Sequence, residues 1–323
     1  MSNSAFIGSN LDIAATLLQK GEAVAIPTET VYGLAANALN VKAVAKIFQI
    51  KNRPSFDPLI IHLASFEQAK EYVTEVPEVF GILAKKFTPG PLTFLMKKKL
   101  NIPDLVTAGS EYVAVRIPAH DVTRALLGKL DFPLAAPSAN PFGYISPTTA
   151  QHVADQLGHK IYYILDGGPC DVGLESTIIG MNDQGEVEVL RKGGLSIESL
   201  TAEIGDIKIR DISTSNPEAP GMLTSHYAPK VPLILGNIHE LAKTGNLERT
   251  GIIAFNQFVQ GIPVKHQIVL SPSSNFGDAA FHLFAGMRYL DSCDLDVIYA
   301  ELVPDRDLGI AINDRLRRAA HQE

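Results

Sequence analysis

Lys51 and Arg53 stand two residues apart in "KNRPSFDPLIIH", where an apolar helical pattern ends and an extended run begins. Two cations on the same extended side could hold a polyphosphate, since each brings fixed charge and several donors. Cations at a helix C-terminus also simply complement its dipole. His62 closes the same stretch at a strand end. "PTETVYG" follows "AVAI" directly and gathers the hydroxyls of Thr28, Thr30 and Tyr32 around Glu29, a pattern that suits either a binding loop or a capped turn. "AAPSANPFGYISPTT" runs from an apolar strand into Ser138 and Asn140, then through Pro141 and Gly143 to Ser146. Small hydroxyls and amides of this kind suit phosphate and ribose oxygens.

Arg116 is more telling. "VAVRIP" sets a cation between apolar neighbours, and a buried guanidinium demands an anion, whether an internal carboxylate or one on a ligand. "GLESTII" holds Glu175, Ser176 and Thr177 at a strand start, and "VLRKGG" holds Arg191 and Lys192 at a strand end; taken singly, each reads as a turn. No GxxxxGK[ST] loop, GxGxxG after a strand, HExxH or GxSxG occurs, which removes the common motif classes for nucleotide, zinc and acyl chemistry.

These clusters begin where strands should end, and in open α/β sheets ligands gather beyond the carboxyl ends of strands. The runs "AVAI", "LIIHL", "LTFLM", "YVAVRI", "PLAAP", "YYIL", "STIIG" and "VEVL" alternate with helical patterns such as "VKAVAKIFQIK", "PEVFGILAKKF" and "TTAQHVADQL", giving an α/β domain with a mixed sheet. The stretch "ISTSNPEAPGMLTSHYAPK" is rich in Ser, Thr, Pro and Gly, as a linker would be. Beyond it, "VPLIL", "GIIAF", "HQIVL" and "DVIYAEL" alternate with two helical patterns, suggesting a small parallel sheet. The expected division is therefore a catalytic domain over 1–200, a linker over 201–230 and a second domain over 231–323.

The chain has 323 residues, 46% of them hydrophobic, and a net charge of −7. That length suits two cores, and the acidic balance argues against a stable nucleic-acid complex at physiological salt. "MKKKL", the one dense basic run, reads as a solvated strand edge. Two distant cysteines, Cys170 and Cys293, support neither a disulfide framework nor a thiolate zinc site, and a reducing cytoplasm is expected. No basic, then apolar, leader opens the sequence and no run is long enough to span a bilayer, so neither export nor membrane insertion is expected.

Taken in order, "PTETVYGL", "KNRP" with "PLIIH", "PGPLTF", "VAVRIP", "APSAN" with "SPT", "GLESTII" and "LRKGG" resemble the YrdC family, the L-threonylcarbamoyladenylate synthases. "PGMLTSHYAPK" and "LGIAINDRLRRAA" resemble the linker and C-terminal end of the family's long form, so the likeness covers nearly the whole chain. It implies a YrdC-like twisted mixed-sheet domain followed by a small Rossmann-like domain. It also implies a reaction: L-threonine, bicarbonate and ATP, with Mg2+ accompanying the ATP, give threonylcarbamoyl-AMP and pyrophosphate. The product feeds the tRNA threonylcarbamoyltransferase machinery that modifies adenosine 37. By resemblance, Thr30, His62, Arg116 and Ser176 look like the threonine pocket. Lys51, Arg53, Ser138 and Asn140 look like the catalytic polyphosphate cradle, and Ser146, Arg191 and Tyr227 complete the ATP site, with Tyr227 on a linker that acts as a lid. Glu29 is open to proton removal or to a structural role. Such chemistry rests on positioning and charge neutralisation and predicts no nucleophilic Ser or Cys.

Two positions depart from the family pattern: Tyr112, where a small hydroxyl residue is usual, and Asp57, where asparagine is common. A carboxylate beside phosphates repels them unless a cation intervenes. Two other functions were weighed. An RNA-binding module of the same fold is disfavoured by the charge, and the carbamoyltransferase of hydrogenase maturation, which contains a similar domain, needs zinc-binding cysteines that two distant thiols cannot supply.

Overall fold

The apolar runs become neighbouring strands of one large sheet in the computed structural model, which describes residues 5–210, 226–244 and 246–321. Its eleven strands are β1 (Phe6–Gly8), β2 (Val24–Ile26), β3 (Gly33–Asn37), β4 (Ile60–His62), β5 (Leu92–Lys97), β6 (Tyr112–Arg116), β7 (Leu134–Ala135), β8 (Tyr163–Leu165), β9 (Thr177–Met181), β10 (Val187–Arg191) and β11 (Lys208–Ile209). They lie in the order β1-β8-β2-β3-β7-β4-β6-β5-β9-β10-β11. Parallel pairs such as β4 with β6 and β5 with β9 sit beside antiparallel pairs such as β5 with β6, so the sheet is mixed, as expected.

Side chains alternate across a strand, and here the two faces differ in kind. Leu59 and Ile61, Val113 and Val115, Phe94 and Met96, Ile179 and Val189 point into the main core, which the helices Val41–Lys51 and Glu78–Phe87 cover. The opposite face carries a smaller apolar cluster of Ile60, Leu95, Ala114, Ile178 and Leu190. Continuing along the same strands in steps of two, that face turns polar at His62, Arg116 and Thr93. The site is built on this less covered face.

A second sheet of four strands, β12 (Leu233–Leu235), β13 (Thr250–Ala254), β14 (Gln267–Val269) and β15 (Val297–Ala300), is parallel throughout in the order β12-β15-β13-β14. The helices Phe276–Ser292 and Gly309–Ala320 pack on it. Its core also takes in Val31, Ile145 and Leu174 of the first domain, so apolar surface joins the two domains. A division at residue 200 falls inside the helix Ile197–Ile204, whose Leu200 is buried in the first core, and β11 extends that domain to Ile209. Half of the expected linker, residues 211–225, lies outside the described residues. No helix among the described residues is long and apolar enough to cross a membrane.

Candidate functional site

Register places the polar row. β4 and β6 run parallel with His62 paired to Arg116, and Thr93 of β5 lies opposite Arg116 across the antiparallel pair. Thr93 and Ser176 share a hydrogen bond of 2.7 Å between their hydroxyls. His62, Arg116, Thr93 and Ser176 therefore form one line across four adjacent chain segments. Thr30 comes from the β2–β3 loop, where the Thr28 hydroxyl accepts from the Thr30 and Val31 amides and lies 2.8 Å from the Thr30 hydroxyl. That loop is tied to the segment after β7 by Leu34 N–H donating to Pro137 and by a bridge between Gly33 and Ser138.

A cavity opens over this row. Thr30, Arg53, His62, Arg116, Ser138, Arg191 and Tyr227 line it, as do two residues with no expected place there, Glu175 and His226. Seven expected site residues thus converge on one space. Four others do not line it. Lys51 is buried as the last residue of its helix and donates to the carbonyls of Ser138 and Asn140 at 2.6 and 2.5 Å. It braces the Ser138–Asn140 turn, and Asn52 between it and Arg53 is in the left-handed region (φ 53°). Asn140 donates to the Pro141 and Tyr144 carbonyls and so fixes the same turn. Ser146 donates to Glu175 at 2.5 Å, and the Ser176 hydroxyl accepts from Arg191 at 3.0 Å.

The guanidiniums of Arg116 and Arg53 each have an internal carboxylate beside them. Arg116 lies 2.8 Å from Glu29, which resolves both open questions of the sequence: the lone strand cation has an internal partner, and Glu29 is that partner. No hydrogen bond engages Arg116 Nε. Arg53 pairs with Asp57 at 2.9 Å and donates to the carbonyls of Asp57 and Pro58. The Asp57 departure is thereby neutralised within the chain, although burial pushes its carboxyl up against the pull of Arg53 and Lys51. Burial and then the neighbouring Arg116 push His62 down to about 3, so its ring is neutral at physiological pH and its unpartnered Nδ1 is free to meet a ligand. Burial lowers Arg191 to about 10, which leaves it charged. Burial raises the Cys170 thiol, which leaves it inert.

Tyr112 lies at the far end of β6 from Arg116, roughly 13 Å away by strand rise. It is half exposed in a second groove with Glu188, Leu190 and Arg210. The apolar cluster of Ile60, Leu95, Ala114, Ile178 and Leu190 floors the space between.

Two residues at the end of the expected linker line the cavity. His226 and Tyr227 are both buried in its lining, and Ala228 N–H donates to Gly143. The His226 ring meets Phe142 edge-on, and the Tyr227 ring stacks on Phe284 of the second domain at 5.5 Å. Thr93, His226 and Glu175 were missed in the sequence as site residues. Thr93 was visible in principle: two residues from Leu95 on a buried strand, it is a hydroxyl on the same face as Arg116's opposite.

The same residues lie within known families. The Sua5, YciO and YrdC family model, described as telomere recombination, matches residues 16–193. A second model, described as the threonylcarbamoyl-AMP synthase C-terminal domain, matches residues 190–321. The threonylcarbamoyl-AMP synthase of Pyrococcus abyssi is 41% identical over 323 residues, covering 95% of this chain and 93% of the relative. That of Bacillus subtilis is 39% identical over 320 residues, covering 95% and 92%. The crystal structure of P. abyssi Sua5 complexed with L-threonine matches with a TM-score of 0.90 at 40% identity, covering 96% of this chain and 94% of that one. The chain therefore belongs to the Sua5/YrdC family, in the two-domain form that carries the threonylcarbamoyl-AMP synthase C-terminal domain.

Proposed function

We propose that this chain makes threonylcarbamoyl-AMP and pyrophosphate from L-threonine, bicarbonate and ATP, supplying the activated donor for tRNA threonylcarbamoylation. The observation that carries the site assignment is the row His62–Arg116–Thr93–Ser176 at the ends of adjacent strands, with Arg53 and Arg191 lining the same cavity.

Arg116 takes the threonine carboxylate: Glu29 fixes its orientation from one side and Nε remains without a hydrogen-bond partner. Neutral His62 and Thr30 offer polar atoms to the threonine hydroxyl without competing for its carboxylate. The amine takes up bicarbonate with loss of water, giving a carbamate that lies toward Thr93 and Ser176. A carbamate oxygen then attacks the α-phosphorus of ATP, and the bond to the β-phosphate oxygen breaks, releasing pyrophosphate. Arg53, Arg191 and Ser138 stabilise the charge on the departing phosphates, while Lys51 and Asn140 hold the Ser138 turn in place. The apolar floor toward Tyr112 offers a surface for the base. Mg2+ arrives with the ATP. It would supply charge neutralisation on the phosphates, and Glu29, Asp57 and Glu175, the carboxylates beside the site, are each paired with a guanidinium. The linker, with His226 and Tyr227 inside the cavity, acts as a lid that excludes water from the carbamate.

Incubating the protein with ATP, Mg2+, bicarbonate and each amino acid in turn tests this. Pyrophosphate release that needs both threonine and bicarbonate, with the adenylate visible by mass spectrometry and with collapse in Arg53→Ala and Arg116→Ala, is the expected result. Release that is independent of threonine, or no release at all, overturns it.

A further inference from the structure

The small domain reaches the cavity wall through one residue that the reaction above does not use. Arg315, on the helix Gly309–Ala320, is fully buried and uses all three of its nitrogens. Nε donates to Glu175 Oε2 at 2.8 Å, Nη1 to Asp314 at 2.6 Å and Nη2 to the Lys192 carbonyl at 2.9 Å. Its guanidinium also lies over the Tyr227 ring, 5.1 Å from the centroid. The other oxygen of Glu175 accepts from Ser146. From the helix Phe276–Ser292, Arg288 donates to the carbonyls of Ile145 and Ser146, bracing the same segment from the second domain.

We propose that Arg315 is a positioning residue for the synthase reaction: its hydrogen bond holds the Glu175 carboxylate in the cavity wall, which fixes the Ser146 hydroxyl behind it and so sets how the nucleotide is received. The chemistry follows from hydrogen counting. While Glu175 is an anion it can only accept, so the single hydrogen of Ser146 points to it and the Glu175 carboxylate in the cavity lining offers a ligand only acceptors. An acceptor suits a ribose hydroxyl and not a phosphate oxygen. If Glu175 takes up a proton, it can donate to Ser146, whose own hydrogen then turns elsewhere and the site presents the wrong group.

The groups around Glu175 support this. Burial by itself raises its carboxyl; Arg315, Arg191 and the Ser146 hydroxyl outweigh burial and hold it below the usual carboxylate range. Facing it from each packed element are Ser146, Arg191 on β10, Tyr227 of the linker, and Arg315 with its neighbours Asp314 and Arg318 on the last helix. Arg191 already serves Ser176, so Arg315 is the cation whose removal leaves Glu175 most exposed to its own burial.

This rests on the synthase reading, and the test separates the two. Pyrophosphate release and calorimetric binding of a non-hydrolysable ATP analogue are measured at about pH 6 and about pH 8 for the wild type, Arg315→Lys, Arg315→Met, Glu175→Gln and the Arg315→Met/Glu175→Gln pair. In Arg315→Met, analogue affinity and kcat/KM for ATP at about pH 6 relative to about pH 8 fall about tenfold against wild type, with the KM for threonine changing less. Arg315→Lys, which keeps the charge, falls less. Glu175→Gln binds the analogue weakly and equally at both values, alone and in the pair. A wild-type pH dependence in folded Arg315→Met overturns the proposal. Wild-type analogue affinity in Glu175→Gln overturns it even if Arg315→Met does not fold. A wild type that binds the analogue but releases no threonine-dependent pyrophosphate counts against the synthase reading, while the binding arm still decides the role of Arg315.

Discussion

Replacing Lys51 by methionine separates two roles that predict opposite signs of stability change. The ammonium is buried and donates to the Ser138 and Asn140 carbonyls, and burial, then the neighbouring Arg53, push its pKa well below the ordinary lysine value. If Lys51 were held for direct contact with phosphate, removing a buried charge with no structural task would leave the apo protein as stable or more so. If it braces the turn, methionine keeps the apolar stem but leaves two buried carbonyls without donors, each worth about 1–3 kcal/mol. Relief of the buried charge offsets part of this, so the net loss is about 3 kcal/mol. At about 2–4 °C per kcal/mol for a domain of this size, the melting temperature falls by about 6–12 °C. Differential scanning calorimetry without ligands, together with KM for ATP, is the assay. A Lys51→Met protein that melts at or above wild type refutes the bracing role assigned here, whatever its activity.

Stability should fall in mild acid because of His62: its ring titrates at about 3 folded against 6.5 as the reference, so below 6.5 only the unfolded chain takes up the proton, and the loss grows until about 3. Between pH 6.5 and about pH 5 this is about 2 kcal/mol, and urea melts of His62→Gln at those values should show a correspondingly flatter dependence. Gly193→Ala would set a Cβ 2.4 Å from the Glu175 carbonyl oxygen and the Ser176 carbonyl carbon, so ATP turnover should drop at least about tenfold; Gly185→Ala, with positive φ but open space, should cost stability through strain alone and leave KM for ATP unchanged. Ending the chain at Arg210 should leave the large sheet folded by circular dichroism yet depress threonine-dependent activity, because Val31, Ile145 and Leu174 lose their apolar cover and Glu175 loses Arg315. Undiminished turnover by that fragment would contradict a role for the small domain.

Most strands were legible because they are short apolar runs ended by polar clusters, and the parallel second sheet followed from four apolar runs interspersed with two helical patterns. β3 was not, since "GLAAN" carries neither β-branched nor aromatic residues; it is a strand because its small side chains allow close approach between β2 and β7. Arg116, Thr30 and His62 could be singled out by type and place. For Lys51, spacing shows a cation near Arg53 in sequence but not that its ammonium is engaged by the carbonyls of Ser138 and Asn140. Arg315 left a signal that went unused: it lies four residues after Ala311 and three after Ile312, on the apolar stripe completed by Leu316 and Ala319. A cation on a buried stripe must have an anion waiting, and Glu175, dismissed as a turn residue, is that anion.

The pairing of charges around the cavity explains why the site can exist before its substrates arrive. Arg53, Arg116, Arg191 and Arg315 are all buried, and unpaired they would be prohibitive to desolvate. Glu29, Asp57, Glu175 and Asp314 pair with Arg116, Arg53 and Arg315, and among the residues that line the cavity Arg53, Arg116 and Arg191 outnumber the carboxylate of Glu175, so the lining presents a positive excess held in fixed directions. Complete neutralisation would remove the attraction for a carboxylate and a triphosphate, and no neutralisation would unfold the wall. An arrangement between these limits lets the substrates supply the missing negative charge, which means that binding and preorganisation are the same electrostatic step. The two domains share that step, since Glu175 belongs to one and Arg315 to the other. Loss of docking therefore changes the charge state of the cavity wall as well as its shape, and the small domain acts on the chemistry without contributing a group to the reacting atoms.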